Sequence, residues 1–403
     1  MPVGLLNPKA GAAVNTAPGC APRNFHRLLP GYQPTPLVDA PAIAERLGCG
    51  HLWVKDESSR MGLPSFKVLG ASWATFRALE SRAGQALQDW DNVDDLGKLV
   101  HELTPVRKLA AATDGNHGRA VARTARWLGL EANIYVPDGT AKARIAAIIS
   151  EGAAVTAVGG SYDSAVARSA VDANDYCLVV SDTSWPGYTS IPNWVIDGYS
   201  TILAEVDADL ETSGESAPDV VVVQMGVGAL AAAVVRHWRQ PDTSGPRIMG
   251  VEPTSAACVM ASIRHRGIRS VPGPHPSIMA GLNCDTPSIV AWPDVCSGID
   301  AFIAIEDDLA REGMRAFAQI GLVSGETGAA GLAGMLAVNS GELPSIAAPL
   351  GLTRDSSVLV LSTEGATDPD AYHAAVRTPA TVNPRAANRG AVDCPSGRPR
   401  KDY

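Results

Sequence analysis

The sequence has little of what marks several protein classes. Of its 403 residues, 5% are aromatic and 19% are charged, and its most apolar run is too short for a comfortable membrane span. That run, residues 220–235, contains Gln224 and two glycines, so a buried strand followed by a buried helix explains it better. The 33 basic and 42 acidic residues leave a net charge of −9, and the basic ones are scattered. We therefore expect neither a membrane protein nor a nucleic-acid surface, which needs clustered Lys and Arg.

The cysteines and the N-terminus exclude further classes. The cysteine count is odd and no pair has metal-ligand spacing, so we predict reduced thiols, no metal site and a cytoplasmic protein. The first residues lack the charged start and long apolar run of a secretory signal, which agrees with that location. The seven cysteines lie at positions 20, 49, 177, 258, 284, 296 and 394.

Short β-rich runs alternate with Ala-rich helical segments through most of the chain. The strands are almost continuously apolar, which indicates parallel sheets covered by helices on both faces and hence an α/β protein. Residues 1–30 are expected to wrap around the protein as an arm, and residues 377–403 to form a disordered tail. Strands are predicted at residues 51–57, 107–113, 132–138, 153–159, 177–182, 219–225, 247–253 and 357–363, and helices at 119–128 and 141–149.

Many of the predicted strands run directly into a small polar or Gly-rich cluster. In open α/β sheets, ligands bind at the carboxyl ends of the strands. We therefore predict one site built from several strand ends. The clusters are residues 113–116, 159–161, 181–183, 226–228 and 362–365.

Lys67 is a candidate nucleophile. It follows Pro64, Ser65 and Phe66 and is predicted to open a helix among apolar and small residues. Lost hydration and the positive end of the helix would both lower its pKa, and a neutral amine is the form that attacks an aldehyde. The alternative is a surface lysine in the first turn of a helix, which on position alone is the commoner case.

The segment Thr113-Asp114-Gly115-Asn116-His117-Gly118 follows a predicted strand. Its glycines would let backbone N–H groups approach a ligand closely, and several such groups make a nest for a carboxylate. Thr113, Gly115 and His117 are the substrate-binding candidates, and Asn116 can donate a hydrogen bond to a phenolic oxygen. The alternative is an ordinary tight turn that caps the next helix, with His117 as a structural hydrogen-bonding residue.

The segment Gly226-Val227-Gly228-Ala229 joins an apolar strand to an apolar helix. Backbone N–H groups at such a helix start bind phosphate without any side-chain charge. A dinucleotide-binding turn is the rival interpretation. It requires a third glycine and an early position in the chain, whereas Ala231 stands here and the motif lies past the midpoint.

One ligand fits these three segments together: an aldehyde for Lys67, a phosphate for the glycine loop and a ring oxygen for Asn116. We therefore predict pyridoxal 5'-phosphate as the ligand. Its pyridine nitrogen needs a partner, and Ser362 at the end of the last predicted strand is the candidate. A hydroxyl partner leaves that nitrogen largely unprotonated, which suits elimination better than transamination.

In this order along the chain, Ser65-Phe66-Lys67, the Gly-Asn-His-Gly segment and the glycine loop resemble fold-type II pyridoxal-phosphate enzymes, and most closely the diaminopropionate ammonia-lyases. The resemblance spans roughly residues 25–375 and implies a tryptophan synthase β-subunit-like fold, with two open parallel-sheet domains, the cofactor in their cleft, and a homodimer. The large domain would comprise residues 1–76 and 215–376, and the small one residues 77–214. Similar stretches include GYQPTPL (31–37), VKDESSRMGLPSFKVLG (54–70), ATDGNHGRAVA (112–122), QMGVGALA (224–231) and LSTEGATD (361–368).

Asp114 and Asp182 match the carboxylates that these ammonia-lyases use to remove the Cα proton, one for each substrate enantiomer. The resemblance thus implies α,β-elimination of 2,3-diaminopropionate to pyruvate and ammonia, with Lys67 as the Schiff-base lysine. Both aspartates could instead cap turns or helices. Pro64-Ser65 stands where an Asn-Ala dipeptide is expected, and residues 317–324 form a shorter stretch than usual, so the exact substrate is the least determined part.

Two other functions stay open. The nearer is β-elimination or β-replacement on serine, threonine or another β-substituted amino acid. Asp114 argues against plain serine or threonine dehydration, because dehydratases usually carry a hydroxyl residue there. The second is a non-catalytic amino-acid-binding protein of the same fold, which would not need the set Lys67, Asn116, Gly226, Gly228 and Ser362.

Overall fold

The computed structural model describes residues 1–240 and 245–377. Except for its first residue, the predicted tail lies outside the described part. All eight predicted strands are confirmed, with ends that agree within three residues. The strands are β1 (Val3–Leu6), β2 (Leu37–Asp39), β3 (His51–Asp56), β4 (Lys108–Ala112), β5 (Glu131–Pro137), β6 (Ala154–Val158), β7 (Cys177–Val179), β8 (Val220–Gln224), β9 (Arg247–Pro253), β10 (Ala301–Ile305) and β11 (Ser357–Ser362).

Helices connect these strands and cover the sheets, and both predicted helices are present as α5 and α6. Single 3₁₀ turns occur at Arg60–Gly62, Thr254–Ala256 and Ala280–Leu282. The α-helices are α1 (Ala21–His26), α2 (Pro41–Leu47), α3 (Lys67–Ala83), α4 (Val93–Leu103), α5 (Asn116–Trp127), α6 (Lys142–Ile149), α7 (Tyr162–Ala170), α8 (Ser190–Ser213), α9 (Ala229–Trp238), α10 (Cys258–His265), α11 (Trp292–Gly298), α12 (Asp307–Gln319), α13 (Ala330–Asn339), α14 (Pro344–Leu350) and α15 (Pro369–Arg377).

Within the described residues the strands form two sheets. The larger has the order β1-β10-β9-β8-β11-β3-β2. Its five inner strands are parallel, and the two edge strands, β1 and β2, are antiparallel to their neighbours. Strand β11 lies between β8 and β3 although it comes last in the chain. The segments that follow these three strands, which carry the glycine loop, Lys67 and residues 363–365, therefore meet at one edge of the sheet.

The smaller sheet is wholly parallel, with the order β6-β5-β4-β7. Because β4 and β7 are neighbours, the segments that follow them, residues 113–117 and 180–182, are adjacent as well. All four strands lie between residues 77 and 214, and the strands of the larger sheet lie outside that range. The domain boundaries near residues 76 and 215 stay a prediction, and helix α3 crosses the first of them.

Residues 1–30 were expected to form a wrapping arm, but they also contain a strand and a helix that join the folded core. Strand β1 pairs with β10 and extends the large sheet, because the open backbone groups of an edge strand accept a further strand. Helix α1 buries Phe25 and His26 in the core. Both ring nitrogens of His26 have partners, Thr201 Oγ1 at 2.8 Å and the Leu69 carbonyl at 2.9 Å. These pairings are long-range in sequence, and no local pattern indicates them.

Helices α3 and α8 pack so closely that each needs a glycine at the contact. A Cβ on Gly70 would lie 2.5 Å from a ring carbon of Tyr199, and one on Gly198 would lie 2.5 Å from the Leu69 carbonyl oxygen. Because α3 begins at Lys67, this contact fixes the position of the lysine at one end of a rigid pair of helices.

A fully buried ion cluster supports the loop between β3 and Lys67. Arg60 donates hydrogen bonds to Glu57 (2.6 and 2.8 Å) and to Glu205 on α8 (2.7 and 2.8 Å). Lys55 donates to the Thr35 carbonyl at 2.6 Å and lies 2.9 Å from Glu205. All four charged side chains are inaccessible to solvent. The cluster therefore ties the loop to α8 by bonds that satisfy each charge internally.

The six cysteines within the described residues are all free, and Cys394 lies outside that part. Among the helices of residues 1–240 and 245–377, none is both long and apolar enough to cross a membrane.

Candidate active site

A central cavity opens where the ends of β3, β4, β7, β8 and β11 converge. Together with its open mouth, the cavity encloses about 770 Å³ of space that protein atoms do not fill. Four of the five predicted strand-end clusters contribute lining residues, whereas residues 159–161 do not line this cavity. The lining residues are Ser65, Phe66, Lys67, Thr113, Asp114, Asn116, His117, Tyr162, Asp182, residues 224–230, residues 280–284, Thr327, Thr363 and Glu364.

Lys67 begins α3, as predicted, and its amine points into the cavity. Nζ lies 2.7 Å from Asp182 Oδ2 and 5.4 Å from the centre of the Phe66 ring. Burial by itself would lower the lysine pKa, but the Asp182 carboxylate outweighs it and the pKa is raised above its ordinary value. The expectation of a lowered pKa was wrong for this state, because the sequence does not show that a carboxylate meets the amine.

Asp182 is the centre of a hydrogen-bonded group. It accepts from Lys67 and also from Tyr162 Oη, which lies 2.8 Å from Oδ1. Burial opposes its charge, yet the Lys67 ammonium holds the Asp182 pKa well below its usual range. Tyr162 was missed by the sequence argument, although it directly follows the strand-end cluster at residues 159–161.

His117 is fixed by the backbone. Its Nε2 lies 2.8 Å from the Val180 carbonyl, so Nε2 carries the hydrogen in the neutral ring. Among residues 1–240 and 245–377, the buried Nδ1 has no hydrogen-bond partner, and it lies 3.9 Å from Asp182 Oδ2. Burial lowers the His117 pKa, which favours this neutral form. The structural role considered for His117 is therefore present, with one ring nitrogen left for a ligand.

The turn that contains Asp114 is organised by Thr113. The N–H groups of Gly115 and Gly118 both donate to Thr113 Oγ1 at 2.9 Å. These two N–H groups are therefore already used, so the predicted carboxylate nest must rely on other groups of the turn. Asp114 is half-buried, and loss of hydration around its carboxyl raises its pKa to about 6 against the opposing charges of Arg144 and Lys67.

A second cavity lies outside the first, and Asn116 lines both. Gly115 lines this outer cavity rather than the central one, and Arg144 packs against it: a Cβ on Gly115 would lie 3.1 Å from Arg144 Cδ. The outer cavity is lined by Ser58, Ser59, Gly62, Leu63, Pro64, Gly115, Asn116, Arg119, Ala143, Arg144, Ala147, Ala366, Thr367 and Pro369.

Asn116 donates its side-chain N–H to Glu364, another cavity residue that the site prediction omitted. The second oxygen of Glu364 accepts the Thr327 N–H at 3.1 Å. The signal that could have found Glu364 was the strand-end cluster at residues 362–365.

The glycine loop lines the cavity through Gly226, Val227, Gly228 and Ala229. Helix α9 begins at Ala229, and the first N–H groups of a helix have no partner within it. Gly228 has φ +93°, which a side chain disfavours, and a Cβ on Gly226 would lie 3.0 Å from the Gly281 carbonyl oxygen. The loop is thus a narrow, side-chain-free wall with donors suited to an anion.

Ser362 does not line the central cavity. Its buried hydroxyl donates to Ser324 Oγ at 2.9 Å. The next residue, Thr363, does line the cavity, and its Oγ1 accepts from Gln224 Nε2 at 2.8 Å. Successive side chains of a strand point to opposite faces, which explains why only one of the two hydroxyls reaches the wall. Ser362 stays a predicted ring-nitrogen partner, and Thr363 becomes a second candidate.

Comparisons with known proteins agree with this geometry. A family model described as "Pyridoxal-phosphate dependent enzyme" matches residues 28–348. The chain is 35% identical over 365 residues to a diaminopropionate ammonia-lyase of Salmonella typhimurium, covering 86% of this chain and 89% of that protein. It is also 35% identical over 364 residues to the diaminopropionate ammonia-lyase of Escherichia coli strain K12, covering 88% and 90%.

Among solved structures, diaminopropionate ammonia lyase from Escherichia coli in complex with D-serine matches with a TM-score of 0.84 at 32% identity. The match covers 94% of this chain and 97% of that one. The chain therefore belongs to the family of pyridoxal-phosphate dependent enzymes, in the fold-type II group that includes the diaminopropionate ammonia-lyases.

Proposed function

We propose that this chain catalyses the α,β-elimination of 2,3-diaminopropionate to pyruvate and ammonia, with pyridoxal phosphate as cofactor. The observation that carries the proposal is that Lys67, Asp114 and Asp182 line one cavity, with Lys67 and Asp182 in direct contact. Relatives that carry this name at 35% identity support the choice of substrate.

The residues present fit the cofactor. The N–H groups of the glycine loop at the start of α9 would hold its phosphate, and Lys67 would hold its aldehyde carbon. Asn116 would donate to the ring oxygen, and Ser362 or Thr363 would face the ring nitrogen. When bound, the cofactor supplies an electron sink that makes the Cα proton of an amino acid acidic enough to remove.

The chain's own groups would manage the protons. Lys67 Nζ and Asp182 Oδ2 are 2.7 Å apart, so a proton can pass directly between them. Asp114, with a pKa of about 6, is mostly ionised at neutral pH and can act as a base. Asp182 becomes a stronger base when the Lys67 ammonium moves away or loses its charge. We assign the Cα proton of one enantiomer to Asp114 and that of the other to Asp182.

The test is product analysis with the cofactor-loaded protein. D- and L-diaminopropionate, serine and threonine are incubated separately, and pyruvate or oxobutyrate and ammonia are measured. Diaminopropionate should give two ammonia molecules per pyruvate, and faster than serine gives one. If neither enantiomer yields pyruvate, the proposed function is wrong; if serine or threonine is the faster substrate, the dehydratase alternative replaces it.

We further propose that the enzyme is a cytoplasmic homodimer. The free cysteines favour a reducing compartment, and the resemblance to fold-type II enzymes favours the dimer. Light scattering on the purified holoenzyme measures the assembly, and a monomer at working concentration would contradict it. Fractionation of the source cells would test the location.

A further inference from the structure

A carboxylate with no role in the proposed reaction lies in the wall of the central cavity. Glu364 is 2% exposed and follows β11. We propose that Glu364 binds the β-ammonium group of the substrate and so selects diaminopropionate over amino acids with a neutral β-substituent. The inference rests on the proposed function, because it concerns recognition of the same substrate.

The position of Glu364 brings it close to the segment that precedes Lys67. It forms an isolated antiparallel bridge with Ser65, two residues before Lys67, and the Gly365 N–H donates to the Pro64 carbonyl at 2.9 Å. Glu364 also accepts from Asn116, which lines both cavities. Glu364 therefore lies in the wall of the central cavity between Ser65 and Asn116.

The three carboxylates that line the cavity differ in the groups that surround them. Asp182 is engaged by Lys67 and Tyr162. Asp114 has its pKa raised to about 6 by loss of hydration, and it is assigned to proton transfer in the proposed reaction. Glu364 has one N–H donor on each oxygen; the Arg144 guanidinium interacts with its charge, and no side-chain cation of the described residues is hydrogen-bonded to it. An ionised carboxylate has about four acceptor positions, so both oxygens can accept further donors.

The segment that precedes α13 is shaped around Glu364. A Cβ on Gly325 would lie 3.3 Å from Glu364 Cγ and Oε1. A Cβ on Gly328 would lie 2.5 Å from the Glu364 carbonyl oxygen. Thr327, between these glycines, supplies the N–H that holds Oε1. The two glycines thus permit a close fit that fixes the carboxylate in one position, as a recognition group requires.

A carboxylate at this position would bind the β-ammonium group of diaminopropionate more strongly than the hydroxyl of serine. An ammonium group brings a charge and three donors into a buried site, and it needs an acceptor with opposite charge. A serine hydroxyl in the same place loses little when the carboxylate becomes an amide. A hydrogen bond to a charged group corresponds to about a tenfold to hundredfold change in binding.

The experiment compares Glu364→Gln with the control Glu326→Gln in the cofactor-loaded enzyme. Glu326 is a buried carboxylate in the same segment, but it is not among the residues that line either cavity. The readouts are kcat and KM for each diaminopropionate enantiomer, and the inhibition constant or KM of D-serine. Cofactor absorbance and the thermal transition report whether each variant is folded and loaded.

Glu364→Gln should raise KM for diaminopropionate about tenfold to hundredfold and change the D-serine constant less than about threefold. Glu326→Gln should change neither. Equal losses for both ligands would show that Glu364 only positions Asn116, and an unchanged KM would also overturn the proposal. If the wild type binds diaminopropionate but forms no pyruvate, the proposed function fails. Competition with D-serine, followed by cofactor absorbance, then tests Glu364 separately.

Discussion

Two lysines of this chain lie 12 positions apart, and each is paired with a carboxylate, but their surroundings differ. Lys55 is fully inaccessible, bonded to the Thr35 carbonyl and to Glu205, in a cluster where Arg60 satisfies the remaining acceptors. The Lys67 side chain is 21% exposed, faces a cavity and has Asp182 as its close ionic partner. Lys55 belongs to an ion cluster that is closed to solvent, which we call the closed cluster. Lys67 belongs to a group that faces the cavity, which we call the open group.

The difference shows how burial can either fix a charge or prepare it for chemistry. Replacing a partner in the closed cluster leaves a buried charge without compensation. Substitutions there should therefore lower the free energy of unfolding. In the open group, Asp182 can exchange a proton with Lys67, and the unpartnered Nδ1 of His117 leaves room for a ligand. The predictions below separate these roles.

The largest effect is expected from Lys67→Ala. Losing the covalent anchor should lower kcat/KM by roughly a thousandfold or more. Lys67→Arg is the matched variant, because it keeps the charge opposite Asp182 but cannot attach the cofactor. Borohydride reduction followed by mass spectrometry locates the attached lysine in the wild type. Ordinary turnover by either variant would remove Lys67 from the mechanism.

Arg60→Met should act on stability rather than on chemistry. It leaves Glu57 and Glu205 buried without their main partner, at a cost of about 3–5 kcal/mol in the free energy of unfolding. Arg46→Met is the control, since the Arg46–Glu312 pair is exposed and contributes about 1 kcal/mol or less. Urea unfolding of the holoenzyme measures both. If the two variants are equally stable, the closed cluster has no structural role.

These comparisons also show what the sequence could predict. Eight strands, the start of α3 at Lys67 and the convergence of strand ends on one site follow from apolar runs and Gly-rich clusters, which are local signals. The edge strands β1 and β2 have only four and three residues and give little local signal, whereas β10 is a five-residue apolar run that the sequence prediction missed. The Arg60–Glu205 contact joins positions 145 residues apart and is equally invisible.

Within the site, the sequence predicted residue types better than their partners. Lys67, Asp114, Asn116 and Asp182 all line the cavity, but the raised pKa of Lys67 depends on a contact between α3 and the end of β7. Ser362 shows the same limit, since its spacing places it at a strand end without saying which face it occupies. The spacing of residues predicts that they lie near a site, but only the folded structure shows which way each side chain points.

Asp114→Asn and Asp182→Asn should each lower the rate for a different substrate enantiomer. Each variant should lower kcat for one enantiomer about a hundredfold, the usual contribution of a positioned base, and affect the other much less. Assays with pure D- and L-diaminopropionate measure the split. Asp182→Asn should also weaken cofactor attachment, because it removes the acceptor beside Lys67, and cofactor absorbance reports this. Equal losses for both enantiomers in both variants would rule out separate bases.

The pH dependence should distinguish the two bases in the unmodified enzyme. Asp114 has a pKa raised by burial to about 6, so its basic form is lost as the pH falls through 6. For the enantiomer that uses Asp114, kcat/KM should drop about tenfold per unit below that pH. The positive charge of Lys67 lowers the Asp182 pKa, so while the Lys67 nitrogen stays charged the other enantiomer should keep its rate to lower pH. Identical profiles for both enantiomers would contradict the assignment.

The smallest effect concerns the hydroxyl that faces the ring nitrogen of the cofactor. Thr363 lines the cavity with its Oγ1 oriented by Gln224, whereas Ser362 donates to Ser324 behind the wall. Thr363→Val should therefore change the visible spectrum of the bound cofactor and lower kcat a few-fold, by the loss of about one hydrogen bond. Ser362→Ala should leave the spectrum unchanged. The reverse result would restore Ser362 as the ring-nitrogen partner and would mean that its hydroxyl turns from Ser324 when the cofactor binds.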